Sequence, residues 1–214
     1  MRMQEGQAHL AFLEVARRAR RAGDAAELAF VAVNDSSLLA PYRQAALWLR
    51  EGGVVCLSGV VQVEANVPYV LWLQSVCAQL ALRGDSPCAV DSTDFPGPLG
   101  EAWGDWLPAH VAWLPITAAP GSSQAAGDEG APIGGLLLTR DTPWTEQDLL
   151  LLAEWVDTWG RCGGPASLTK AGIGAAWWPA CGVASAAPAA GAGGRFRPPA
   201  GDWSWHSCSA CLYA

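Results

Sequence analysis

The sequence predicts an α+β domain in which helices pack on an antiparallel sheet, followed by a low-complexity, disordered tail. Three observations carry this expectation. The apolar segments run helix, helix, strand, strand, helix, loop, strand, strand, helix, without the βαβ alternation that a doubly wound parallel sheet requires. A hydrophobic share of 51% against 15% charged residues can fill a sizeable core in a chain of 214 residues. Composition changes abruptly after residue 160, which places the domain at residues 1–160 and the tail at 161–214.

Ala8, Phe12, Val15 and Ala19 recur at helical spacing beside a row of arginines and predict a first amphipathic helix ending near Gly23. Asp24 and Glu27 occupy the N-cap and N3 positions of a capping box, so a second helix should run to about Leu39 and stop before Pro41. Gln44–Leu49 and Val54–Val60 read as paired antiparallel strands, because Gly52 and Gly53 between them can adopt the positive φ of a hairpin turn. Asn66-Val-Pro68 reads as a helix entrance, with Asn66 as the cap and Tyr69, Trp72, Leu73, Val76 and Leu80 as the buried stripe behind it.

Pro87, Pro96, Gly97, Pro98, Gly100, Gly104 and Pro108 make residues 84–108 a long connection with at most one helical turn, around Trp103 and Trp106. Val111–Thr117 and Ile133–Thr139 are two further strands, joined at 118–131 by a segment with the composition of a flexible hairpin tip. Thr145 then caps a last helix whose inner face is Leu149, Leu152, Ala153 and Val156.

A net charge of −7 and a pI near 4.8 argue against a nucleic-acid partner, which needs a basic face to neutralise phosphates. The polar start, with Glu14, Arg17 and Arg18 breaking the apolar positions that follow, does not resemble a cleaved leader. Cysteines number seven, an odd count: Cys56, Cys77 and Cys88 in the domain and four in the tail, a usage that fits reduced thiols in a cytoplasmic compartment. Ala171 to Gly194 lacks charge but is interrupted by Pro179 and Pro188 and is mostly Ala and Gly, so it reads as coil rather than a membrane span.

The closing run Ile133-Gly-Gly-Leu-Leu-Leu-Thr-Arg-Asp-Thr-Pro-Trp-Thr-Glu-Gln-Asp-Leu-Leu-Leu-Leu-Ala-Glu154 resembles the last strand and C-terminal helix of a GAF domain. Val33-Asn-Asp-Ser-Ser-Leu-Leu-Ala-Pro-Tyr-Arg-Gln-Ala45 with Ser58-Gly-Val60, Asn66-Val-Pro-Tyr-Val-Leu-Trp-Leu73 and Trp106-Leu-Pro-Ala-His-Val-Ala-Trp-Leu-Pro115 are similar to the GAF-like regions that precede haemolysin-D-type membrane-fusion proteins in bacteria. The resemblance covers about three quarters of the chain, to Gly160. In such proteins a basic stretch, a membrane helix and a periplasmic adaptor follow; here the tail takes their place, as expected of a reading-frame shift after codon 160.

The resemblance implies a pocket between the sheet and the loop-plus-helix segment covering it, and Trp48, Tyr69, Trp72, Trp103 and Trp113 are the rings placed to line it. The same five rings also read as ordinary core filling. No cyclic-nucleotide signature or bilin-attachment context accompanies them. Cys77 and Cys88 invite comparison with small GAF enzymes that reduce free methionine sulfoxide, although a third thiol at suitable spacing is missing. Cys208-x-x-Cys211 beside His206 is half a zinc site, with Cys162 and Cys181 the remaining candidates, so no metal is expected. His110 stands without a nucleophile motif and reads as a structural strand residue.

The expectation is therefore a non-catalytic regulatory, sensory or interaction module without cofactor, attached in its relatives to a secretion or efflux adaptor and truncated here. Its partners would be an unidentified small molecule and a second copy through the terminal helices, with any membrane contact made by a segment missing from the chain. The alternatives are a cysteine-based methionine sulfoxide reductase and a stand-alone small-molecule sensor.

Overall fold

The structure, a computed structural model, describes residues 2–117, 132–164 and 168. The chain divides into two compact units, Met1–Cys181 and Gly182–Ala214, and every described residue belongs to the first. The expected hairpin tip at 118–131, and the tail from residue 165 onward except Leu168, lie outside the described residues.

Two helices open the domain, α1 (Arg2–Arg21) and α2 (Ala25–Asn34). Asp24 caps α2 by accepting the Glu27 N–H at 2.8 Å, while the Glu27 carboxylate accepts the N–H of Gly23 at 2.7 Å, one residue earlier than the expected reciprocal bond. The helix then tightens into a 3-10 turn, Asp35–Leu38, where Ser36 is fully buried. Ser36 Oγ donates to Ala32 O and also meets the Tyr42 hydroxyl, which donates to Val33 O at 2.8 Å. This small network satisfies the last carbonyls of α2 and aims the chain into the sheet.

Strand β1 (Gln44–Leu49) turns into β2 (Gly53–Leu57) through Gly53, whose φ of 67° is the left-handed conformation that favours glycine. β2 is shorter than the expected Val54–Val60. Ser58 still donates its N–H to Ala45 O and accepts the Ala45 N–H on its side-chain Oγ, each at 2.8 Å, but Gly59 at φ 71° bends the chain away. Helix α3 (Pro68–Ala81) follows, and here Asn66 is not the cap: the N-cap position is Val67, without a side-chain bond, and Pro68 opens the first turn, where its missing N–H costs nothing.

Residues 84–108 hold more structure than expected, namely strand β3 (Cys88–Val90), a 3-10 turn (Ser92–Asp94) and two single-turn helices, α4 (Pro98–Glu101) and α5 (Trp103–Trp106). The chain ends its described course in β4 (His110–Ile116), β5 (Gly134–Arg140) and α6 (Glu146–Arg161). All strand pairs are antiparallel, in the order β2-β1-β5-β4-β3, giving the antiparallel α+β architecture that the segment order predicts.

The sheet is covered on both faces, which is why its strands read as nearly continuous apolar runs. On one face Ala45, Leu47, Leu49, Ala112, Leu114, Leu136 and Leu138 pack with α1, α2 and α6. On the other, Ala46, Trp48, Val111, Trp113 and Leu137 pack with α3 and the 84–108 connection. Within the helical layer the inner face of α6 includes Trp155 and Trp159 beside the expected Leu152 and Val156, whereas Leu149 and Ala153 are only half-buried. Leu168 is 1% exposed and belongs to this layer, so its packing continues past residue 160.

The entrance to α6 is tied to the sheet. Thr145 Oγ1 accepts the Asp148 N–H at 3.1 Å and Asp148 Oδ2 accepts the Thr145 N–H at 3.2 Å, a complete capping box. Arg140, at the end of β5, donates to Asp148 Oδ2 and to Pro143 O, each at 2.6 Å, and lies 3.9 Å above the Trp144 ring centroid. Trp144 in turn donates its indole N–H to His110 O at 3.3 Å. Desolvation works against the Asp148 carboxylate, but the Arg140 guanidinium and the Thr145 donors outweigh it and hold its pKa below the usual range. Thr145→Ala is expected to lower stability by about 1 kcal/mol, read as a smaller urea midpoint at unchanged slope. An unchanged midpoint would mean that Arg140 alone anchors the helix.

Candidate aromatic ligand layer

Helix α3 presents Val70, Leu73, Val76, Cys77 and Leu80 to the sheet at spacings of three and four, so one stripe is buried along its whole length. Its neighbours Tyr69 and Trp72 stand half-buried at the rim. The connection from β3 to β4 closes the other side with Phe95, Trp103 and Leu107, all buried. That cover is fastened by polar bonds. Trp72 Nε1 donates to Leu99 O at 3.3 Å, Trp103 Nε1 to Pro108 O at 3.1 Å, and Arg83 to Asp94 O at 2.7 Å and Asp94 Oδ1 at 3.0 Å. The Arg83 guanidinium also lies 5.0 Å over the Phe95 ring.

All five aromatic residues singled out from the sequence fall in this one layer. Trp48 and Trp113 are neighbours on the sheet, with ring centroids 6.2 Å apart, and Trp72 meets Trp103 edge-on at 5.9 Å. Tyr69 pairs with Trp106 at 5.6 Å and Trp103 with Phe95 at 5.1 Å. Trp106 and Phe95 therefore belong to the set. The spacing of Trp106 three positions after Trp103 was a legible signal, whereas Phe95, alone between Asp94 and Pro96, offered none.

The two sheet tryptophans sit astride a glycine. Gly135 on β5 faces Trp48 on β1 and Pro115 on β4, and a Cβ built on it would collide with the six-membered ring of Trp113. The missing side chain is what lets that indole lie flat across β5. Trp113 is fully buried, and its Nε1 has no hydrogen-bond partner among the described residues. An orphaned buried donor costs about 1–3 kcal/mol. Trp155, in the opposite layer, carries a second such N–H. Only Trp113 lies among rings beside a loop-built cover.

The thiols of this region are held in the protonated form. Burial pushes Cys77 far above the ordinary thiol range and raises Cys88, which is half-buried on β3; on the helical side of the sheet it pushes Cys56 to about 11. His110 heads β4, where its carbonyl receives the Trp144 indole. Across the sheet, the C-terminal ends of α1 and α6 frame an open cleft of about 390 Å³ lined by Arg20, Thr158, Arg161 and Cys162. Two guanidiniums would draw an anion there, but both helices direct their carbonyl ends at it and Arg161 is already paired with Asp157, so the cleft is a poor anion site. Among the described residues no three His, Cys, Asp or Glu side chains gather as metal ligands, and no helix is long and apolar enough to cross a membrane.

No family model and no curated protein matches the sequence. Solved structures do match the fold. The GAF domain of a phosphoenolpyruvate-protein phosphotransferase from Coxiella burnetii is 11% identical, with a TM-score of 0.50 over 77% of this chain and 94% of that one. The phycoerythrobilin-bound GAF domain of a cyanobacterial phytochrome is 13% identical, with a TM-score of 0.50 over 76% of this chain and 97% of that one. An N-acylhomoserine lactone dependent LuxR-family transcription factor from Burkholderia cenocepacia is 16% identical, also at 0.50, over 77% and 97%. The chain thus has a GAF-like fold.

Proposed function

We propose that this chain is a non-catalytic regulatory domain that senses a small molecule in the aromatic layer between the sheet and α3. The observation that carries the reading is the Trp113 indole N–H, buried without an acceptor in a layer of rings whose cover is a separate loop. A bound molecule with an apolar body and one hydrogen-bond acceptor would relieve that donor and gain the aromatic faces. The similar folds named above lend support, one bound to phycoerythrobilin and one dependent on an N-acylhomoserine lactone. Thiols kept protonated by burial speak for regulation over cysteine-based methionine sulfoxide reduction.

The setting in this reading is cytoplasmic, beside a secretion or efflux adaptor, and the functional unit is a homodimer built on the terminal helices. A neighbouring gene for an adaptor or a transporter ATPase supports that setting, and a neighbourhood holding neither removes it in favour of a stand-alone sensor.

The sensing itself is tested by thermal unfolding of the purified chain with the small-molecule fraction of a bacterial lysate and with N-acylhomoserine lactones. Ligand at 100 times its Kd stabilises by about 2.7 kcal/mol, and Trp113→Phe, which keeps the ring and removes the donor, should abolish most of that upshift. An upshift undiminished in Trp113→Phe would place the ligand elsewhere. No upshift in the wild type would leave an interaction module.

A further inference from the structure

The outer surface of α1 and α6 carries three large side chains that the core does not use. Leu10 is 66% exposed, Leu13 47% and Leu150 66%. By helical rotation they lie opposite the buried stripes of their own helices, Val15 and Ala19 on α1 and Leu152, Val156 and Trp159 on α6. The C-terminal ends of the two helices lie together at the cleft of Arg20 and Arg161. The leucines therefore sit two to three turns upstream on both helices, at about the same height.

Charge divides this surface in two. From Glu14 to Arg21, α1 has four arginines against one glutamate, whereas α6 has four carboxylates against one arginine. Several of these charges are already engaged: Arg17 and Arg18 with Glu14, Arg18 with Asp35, Asp148 with Arg140, and Asp157 with Arg161. Arg20 and Arg21 on α1, and Glu146 and Glu154 on α6, have no ion-pair partner among the described residues.

We infer that a second copy of this chain docks on the α1/α6 face about a two-fold axis, so that basic α1 of each protomer lies against acidic α6 of the other. A two-fold interface must be self-complementary, and this face carries both halves of the match itself. Pairing α1 with α1 would instead set arginines against arginines. The leucines supply the apolar centre, and Arg20, Arg21, Glu146 and Glu154 form the rim that fixes which helix meets which. This assignment rests on the homodimer of the proposed function and adds the identity of the facing helices.

The experiment is sedimentation equilibrium of the full chain at low salt, with two charge-reversed variants, R20E/R21E and E146K/E154K. All four positions are exposed, so both variants should keep the wild-type circular dichroism. Each alone sets like charges against each other twice and should dimerise at least roughly tenfold more weakly. An equimolar mixture should form a heterodimer of near wild-type affinity, because every basic helix then meets an acidic one. A wild-type dimer whose affinity neither reversal changes overturns the pairing and leaves the homodimer standing. A mixture no tighter than its components also overturns the pairing. A wild-type monomer at high concentration removes pairing and homodimer together, while ligand sensing remains a separate measurement.

Discussion

Trp159→Ala is expected to lower the stability of the domain by about 3–5 kcal/mol, the range for deleting a large buried aromatic side chain. The indole is 1% exposed between α6 and α2, and a Cβ built on Gly164 would approach its ring to 2.6 Å, so surrounding backbone already presses against it. Nε1 donates to Leu28 O at 2.8 Å. Leu28 lies inside α2, where its carbonyl also serves the helix, so the lost bond removes about 0.5–1.5 kcal/mol and strands no buried acceptor. Trp159→Phe should accordingly lose much less than Trp159→Ala. Chemical denaturation of the two variants checks this, and equal losses would show that the bond, not the ring volume, holds α6 to α2.

Gly135→Val is the second large effect, and its mechanism is the reverse. A side chain on Gly135 meets the Trp113 ring directly, and the indole is fully buried in the layer that also holds Trp48 and Leu137. Overpacking of this kind costs about 1–3 kcal/mol, and valine at so close a contact belongs at the upper end. For a domain of this size about 1 kcal/mol shifts Tm by roughly 2–4 °C, so calorimetry should show a fall of roughly 6–12 °C. An unchanged Tm would mean that the indole does not lie across β5. The combination Gly135→Val with Trp113→Leu should recover part of the loss, since the smaller side chain vacates the contested space.

β1 spans the expected Gln44–Leu49, and β4 and β5 lie one residue from their expected positions, because runs of Leu, Val and Trp between turn residues leave little freedom. Thr145 and Asp24 were legible as caps because a short polar side chain three residues before an acidic one is a local device that needs no tertiary context. β3 was not legible. Three residues, Cys88-Ala89-Val90, carry no periodicity of their own and become a strand only because β4 offers a partner. Asn66 failed as a cap for a similar reason: the turn before Pro68 puts the N-cap position at Val67.

Of the candidate site, the sequence supplied the five rings but not their arrangement. Trp48 and Trp113 are 65 positions apart, and only the register of β1, β5 and β4 brings them to either side of Gly135. Nor could it distinguish Trp113 and Trp155 from Trp72, Trp103, Trp144 and Trp159, whose indoles find carbonyl acceptors. Whether a donor is satisfied depends on which carbonyl the fold delivers to it, a long-range property that a residue's neighbours in sequence do not encode.

β5 occupies the middle of the sheet, and its successive leucines serve opposite interiors: Leu137 the aromatic side, Leu136 and Leu138 the helical side. Such a strand belongs to both interiors at once. A substitution that strains Leu137 among the rings therefore also strains a backbone shared with Leu136 and Leu138, and the close-packed helical side bears it without a polar relay. Arg140 fastens the end of the same strand to the first turn of α6, so the final helix starts from a point fixed to the strand that both interiors share.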